Sequence, residues 1–119
     1  MAHTILVAEN GYIEGVDISD TCLEAGFEVE GPHSGICSAM LALQIQRPDL
    51  AILDLHMNEG AVLELAQKLR NENVPIIFHA EEANPRDVAE RFPEAASLAK
   101  PCPPAQFLDT INRMLEETD

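Results

Sequence analysis

Asp54 closes the run Pro48-Asp49-Leu50-Ala51-Ile52-Leu53-Asp54, so an apolar strand delivers one carboxylate to its C-terminal tip. A short continuous apolar run of this kind reads as a strand buried on both faces, as in a parallel sheet. Open α/β sheets place their ligands and chemistry outside the carboxyl ends of the strands. An acid at that place is a functional candidate on position alone. Two other strand ends carry matching chemistry. Ile5-Leu6-Val7-Ala8 runs into Glu9-Asn10, and Ala96-Ser97-Leu98-Ala99 runs into Lys100-Pro101. Two acids, an amide and a lysine would converge if these tips share one sheet edge.

The elements that must position them alternate along the chain. Apolar strand-like runs lie at 4–8, 27–31, 50–54, 75–79 and 96–99. In the second, Phe27-Glu28-Val29-Glu30 alternates, which predicts a half-exposed or edge strand. Helical patterns cover 11–25, 34–46, 60–71, 85–92 and 104–117. Gly26 signals the end of the first helix, and Ser34 is the expected N-cap of the second. Ile36, Ala39, Met40 and Leu43 share one face of that helix, as Val62, Leu65, Ala66 and Leu69 do in the third. Phe107, Leu108, Ile111 and Leu115 form the stripe of the last. Pro85 and Pro104 sit at helix starts, where a missing N–H costs nothing. Pro93 is expected to end the fourth helix early. Repeated βα units with short connections predict a doubly wound parallel sheet with helices on both faces.

Composition narrows the classes. The 119 residues suit one domain, 1–119, large enough to bury a core. Seven basic against 21 acidic residues give a net charge of −14, which argues against binding nucleic acid or anionic membranes. No apolar run is long enough to span a membrane, and Met1-Ala2-His3-Thr4 has no signal-peptide character. Cys22, Cys37 and Cys102 are odd in number and form no CxxC, so buried free thiols in a reducing cytoplasm are expected. The four histidines show no HxxxH spacing. His79 reads as an ordinary polar residue near the end of the fourth strand, and His56 as an exposed loop residue. Met40, Met57 and Met114 read as core or rim packing.

With Glu9-Asn10, Asp54 and Lys100-Pro101 in this order, the chain resembles the receiver domain of two-component response regulators over essentially all its length. Pro48 to Leu55 is similar to the phosphoacceptor strand, Asn73-Val74-Pro75-Ile76-Ile77-Phe78 to the fourth strand, and Lys100-Pro101 to the lysine and its following proline, often cis. The resemblance implies a flavodoxin-like (βα)5 fold with strand order 2-1-3-4-5. It implies a cytoplasmic, non-enzymatic module to which a histidine kinase or phosphotransfer protein donates a phosphoryl group, assisted by Mg²⁺. Asp54 would be the acceptor and Lys100 its cationic partner. Glu9, Asn10, Asp54 and the backbone carbonyl of His56 would hold the metal. No output domain fits the remaining length, so output would be protein contact or homodimerisation through residues 84–117. That face includes Arg86, Arg91, Lys100 and Arg113.

Three positions depart from the pattern. Asn10 replaces a second acid, which predicts weaker Mg²⁺ binding. Ala80 stands where a Ser or Thr hydroxyl would grip a phosphoryl oxygen. Ser97 stands where an aromatic often turns inward on activation. Acceptor and lysine are kept while these switch positions are degenerate. A phosphorylation-independent pseudo-receiver, serving as a scaffold, is the alternative. Asp54-Leu55-His56 also partly matches the DxHxxG opening of cobalamin-binding domains, but Gly60 falls one residue too far. An aspartyl-phosphate phosphatase wants an acid at position 56, where His56 stands.

Overall fold

The computed structural model describes residues 2–57, 59–81 and 86–118. Among them, strands and helices alternate: β1 (Thr4–Ala8), α1 (Tyr12–Glu24), β2 (Glu28–His33), α2 (Ile36–Ile45), β3 (Leu50–Asp54), α3 (Glu59–Asn71), β4 (Ile76–Ala80), α4 (Arg86–Arg91), β5 (Ala96–Ala99) and α5 (Pro104–Thr118). The strands form one parallel sheet in the order β2-β1-β3-β4-β5. This is the doubly wound, flavodoxin-like arrangement expected from the sequence.

Period-two alternation along the strands sorts the core into two layers. Ile5, Val7, Leu50, Ile52, Ile77 and Leu98 pack with Ile18 and Cys22 of α1 and with Phe107, Ile111, Met114 and Leu115 of α5. The intervening Leu6, Ala8, Ala51, Leu53, Ile76 and Phe78 meet Ala39 and Leu43 of α2, Val62, Leu65, Ala66 and Leu69 of α3, and Val88 of α4. β3 and β4 are buried on both faces, which is why they read as unbroken apolar runs. β2 is one of the two edge strands, and its Glu28 and Glu30 are exposed. Charge on an edge strand discourages pairing with another chain.

Several local expectations change. β2 runs to His33, past residue 31, because the Glu9 N–H donates to the His33 carbonyl at 2.9 Å. Gly31 bends the strand with φ +128°, and a Cβ there would meet the Val7 carbonyl oxygen at 2.6 Å. The longer strand moves the start of α2 to Ile36, with Gly35 rather than Ser34 at its N-cap. Local polar bonding passes instead through Ser38, whose hydroxyl donates to the Gly35 carbonyl at 3.2 Å. β4 begins at Ile76 because Pro75 has no N–H for the ladder, and only its carbonyl accepts, from Ala51 at 3.0 Å. Cys22 is buried, but Cys37 is exposed on the outer face of α2 and Cys102 is half-buried. Burial pushes the Cys22 thiol up to about 11. Gly26, at φ +94°, closes α1 as the sequence suggests. Pro104 opens α5, and Lys100-Pro101 is cis. The expected helix start at Pro85 lies outside the described residues.

Candidate functional site

The strand alternation that builds the α1/α5 layer also builds a polar cluster at its upper edge. Ile5 and Val7 are followed in step by Glu9, Leu50 and Ile52 by Asp54, Ile77 by His79, and Leu98 by Lys100. All four polar residues therefore fall on the α1/α5 face, beyond or at the carboxyl ends of neighbouring strands. Backbone bonds fix their heights. Glu9 N–H reaches His33, Leu55 N–H donates to the His79 carbonyl at 3.1 Å, and Lys100 N–H donates to the Ala80 carbonyl at 2.7 Å. Asp54 pairs in register with His79 across β3 and β4.

The cluster is closely connected. Lys100 Nζ donates to Asp54 Oδ1 at 2.8 Å and lies 3.2 Å from Glu9 Oε1. Asp54 Oδ1 also accepts from the His56 N–H at 2.8 Å, and Oδ2 from the Asn10 N–H at 3.0 Å. His79 Nδ1 lies 3.2 Å from Glu9 Oε2. Its ring stands edge-on to Phe107 of α5, with centroids 5.1 Å apart and planes at 75°. Glu9 and Asp54 are each 1% exposed and His79 is 4% exposed. Among the described residues, His79 Nε2 is buried without a hydrogen-bond partner, and Glu9 Oε1 is buried with no partner beyond the Lys100 ammonium at 3.2 Å.

Electrostatics follow from this geometry. Burial pushes the Asp54 carboxyl upward. The Lys100 hydrogen bond, the two backbone N–H bonds and the Lys100 charge outweigh it and hold Asp54 below its ordinary value of 3.8. Burial pulls Lys100 down, but its bond to Asp54 and the charges of Glu9 and Asp54 raise it above its ordinary 10.5. The Asp54 contribution to stability is therefore present above the ordinary carboxylate value and lost as pH falls through its lowered one. The Lys100 contribution is present below 10.5 and lost as pH rises through its raised value.

Of the candidate residues, Glu9, Asp54 and Lys100 come together. Asn10 contributes its backbone N–H, while its side chain is exposed. His56 is exposed, with Nε2 3.3 Å from Glu81 Oε1. Ala80 and Ser97 stand on the opposite strand parity, that of Phe78, away from the cluster. His79 is the corrected residue. It is no ordinary polar residue at a strand end but a buried partner of Glu9. Its alternation with Ile77, inside a strand buried on both faces, was the signal in the sequence.

The donor set has the chemistry of a hard divalent cation. Two carboxylates, an amide and a main-chain carbonyl offer oxygen, and Glu9 Oε1 still has free acceptor capacity. No group of three His, Cys, Asp or Glu side chains is gathered among the described residues. The set thus suits a partly hydrated Mg²⁺ rather than an ion caged by protein alone.

Lys100→Met should expose how far the cluster depends on its lysine. Two buried carboxylates would then lack their ammonium, at a cost of about 3 kcal/mol near pH 7. The loss should shrink toward about pH 4, because protonated carboxyls need no counter-charge. Denaturant midpoints of both proteins at the two pH values check this, and equal losses contradict it.

No profile of a known protein family matches the chain. It is 24% identical over 107 residues to the transcriptional regulatory protein PdtaR of Mycobacterium tuberculosis, covering 90% of this chain and 52% of that protein. The chain spans about half the length of the curated relatives it matches. A response regulator receiver protein from Sinorhizobium medicae superposes with a TM-score of 0.83 at 25% identity, over 99% of this chain and 98% of that one. The chemotaxis protein CheY4 of Vibrio cholerae superposes with a TM-score of 0.83 at 24% identity, over 95% and 98%. The chain thus has the fold of CheY-like response regulator receiver domains and is similar to them in sequence over nearly its whole length.

Proposed function

We propose that this chain serves in a two-component phosphorelay and takes a phosphoryl group on Asp54 from a phosphohistidine of a histidine kinase or phosphotransfer protein. The observation that carries this is the Asp54 carboxylate at the tip of β3, held by Lys100 at 2.8 Å and by two backbone N–H groups. In the transfer, a carboxylate oxygen attacks phosphorus as the P–N bond to the donor imidazole breaks. The imidazole keeps the bonding electrons and takes up a proton, and Asp54 becomes an acyl phosphate. Lys100 moves from the carboxylate to the phosphoryl oxygens as a positioned positive charge. Receiver domains of this fold generally bind Mg²⁺. Here Glu9, Asn10, Asp54 and the His56 carbonyl would hold it, and when bound it offsets phosphoryl charge. The neutral Asn10 amide leaves its shell one formal charge short, so binding is weak.

Receiver domains are typically signalling modules rather than enzymes, and on this reading the output is contact with a protein partner or a second copy. No described helix is long and apolar enough to cross a membrane, and we place the protein in the cytoplasm. The proposed contact face is residues 84–117, of which 84 and 85 lie outside the described residues. Lys100 does not belong to its positive surface, because it is 16% exposed and turned into the site. Arg86 pairs with Glu90 at 3.3 Å, Arg113 approaches Glu117 at 3.9 Å, and Arg91 lies over the Phe92 ring at 5.5 Å. Surface pairs of this kind hold their arginines weakly, leaving them available to an acidic partner.

Ala80 favours a second reading, a pseudo-receiver that binds its partner without phosphorylation. It has no hydroxyl for a phosphoryl oxygen, and a hydrogen bond to a charged group is worth about 1.5–3 kcal/mol. Ser97 likewise offers no aromatic ring to turn inward. Coupling from Asp54 to the contact face is correspondingly weak.

Incubation with phosphoramidate and Mg²⁺ should add one phosphoryl mass at Asp54, and Asp54→Asn should abolish it. Stable modification elsewhere with Asp54 untouched overturns the assignment, and no modification favours the pseudo-receiver. Calorimetric titration at constant ionic strength should find tighter Mg²⁺ binding by Asn10→Asp, whereas equal affinity removes residue 10 from the metal shell. Charge reversal at Arg91 or Arg113 should weaken self-association or partner binding more than Asp54→Asn does. The opposite ranking, measured by sedimentation or pull-down with the cognate partner, refutes weak coupling.

A further inference from the structure

We infer that His79 is a positioning residue of this site, holding the Glu9 carboxylate so that Lys100 is free to move onto an incoming phosphoryl group. The inference rests on the phosphoacceptor reading above. Its starting point is that one ammonium serves two buried carboxylates. Lys100 Nζ is 2.8 Å from Asp54 and 3.2 Å from Glu9. Once a phosphoryl group sits on Asp54, that ammonium is needed at its oxygens. Glu9, whose side chain is wholly buried, would then be an uncompensated anion and would hold the lysine back.

His79 resolves the conflict from the other side of the carboxylate. Its Nδ1 faces Glu9 Oε2 at 3.2 Å, while Lys100 faces Oε1. With a proton on Nδ1, the ring donates to Glu9 and keeps it supplied with a polar partner when Lys100 leaves. The ring is well fixed for this. Its residue is in register with Asp54, its carbonyl is bonded to the Leu55 N–H, and its edge meets Phe107. Among the described residues nothing competes for the ring, since Nε2 is buried without a hydrogen-bond partner. Packing alone does not call for histidine here. Ile77, one step back on the same face, fills the layer with hydrocarbon, whereas a buried nitrogen without a partner costs stability. The polar ring is explained by the carboxylate it faces.

Two substitutions in the full chain separate donor from ring. His79→Phe keeps the aromatic packing against Phe107 and removes the donor. His79→Asn removes the ring and keeps a donor near the place of Nδ1. Loss of a hydrogen-bond partner of a metal-binding carboxylate typically costs about tenfold or more in affinity or rate. His79→Phe should therefore slow phosphoryl incorporation from phosphoramidate at saturating Mg²⁺ by about tenfold, and weaken Mg²⁺ binding by calorimetry by about as much. His79→Asn should retain most of both. Equal behaviour of all three proteins overturns the inference, and so does an equal loss in both variants, which would assign His79 to packing. If the unsubstituted protein takes no phosphoryl group, the phosphoacceptor reading fails. Mg²⁺ affinity then still decides the role of His79 in placing Glu9: loss in His79→Phe with recovery in His79→Asn supports it, and no change overturns it. Should His79→Phe fail to fold, His79→Leu takes its place with the same expectations.

Discussion

Carboxylates taken out of water stay charged only beside partners, and the upper edge of this sheet buries two of them. Glu9 and Asp54 are nearly inaccessible, and Lys100 bridges them while His79 meets Glu9 from β4. The rest of the fold decides whether these partners arrive. A one-residue slip of β4 or β5 would turn His79 or Lys100 to the opposite face. The acids would then be left against hydrocarbon from α1 and α5. Register, set by the ladder and the two apolar layers, is thus a condition of the electrostatics and not only of packing.

The same alternation separates two kinds of position. The parity of Ile5, Ile52, Ile77 and Leu98 ends in charge-bearing or polar groups. The parity of Phe78 passes through Ala80, which has no hydroxyl, and Ser97, which has no aromatic ring. The buried polar cluster and the positions of Ala80 and Ser97 therefore sit on different faces of one sheet.

Lys100 shows why position in sequence and position in space differ in consequence. By sequence it is one of four basic residues on the 84–117 face. In the fold its ammonium turns inward, and the positive charge left on that face belongs to Arg86 and Arg113, which have local acids, and to Arg91, which lies over the Phe92 ring. Asn10 is similar. Its neighbour Glu9 is drawn inward by strand parity, while its own side chain stays exposed and its N–H bonds Asp54.

The strands, their order of types and the acid and lysine at their tips were legible in the chain, because buried parallel strands must be continuous apolar runs and a polar residue ending such a run is conspicuous. Short-range chemistry also spoke for Gly26 at the close of α1 and Pro104 at the start of α5. Element ends were less legible. Where β2 stops depends on Glu9 of another strand, and the cap of α2 moved with it from Ser34 to Gly35. Alternation with Ile77 marked His79 for the buried face, but what it meets there was decided by tertiary structure. A histidine near a strand end is unremarkable until a glutamate 70 residues away meets it at 3.2 Å. Composition and local pattern determine which residues are able to be buried. Only the assembled sheet determines which buried charges face one another, because that depends on register between strands far apart in the chain.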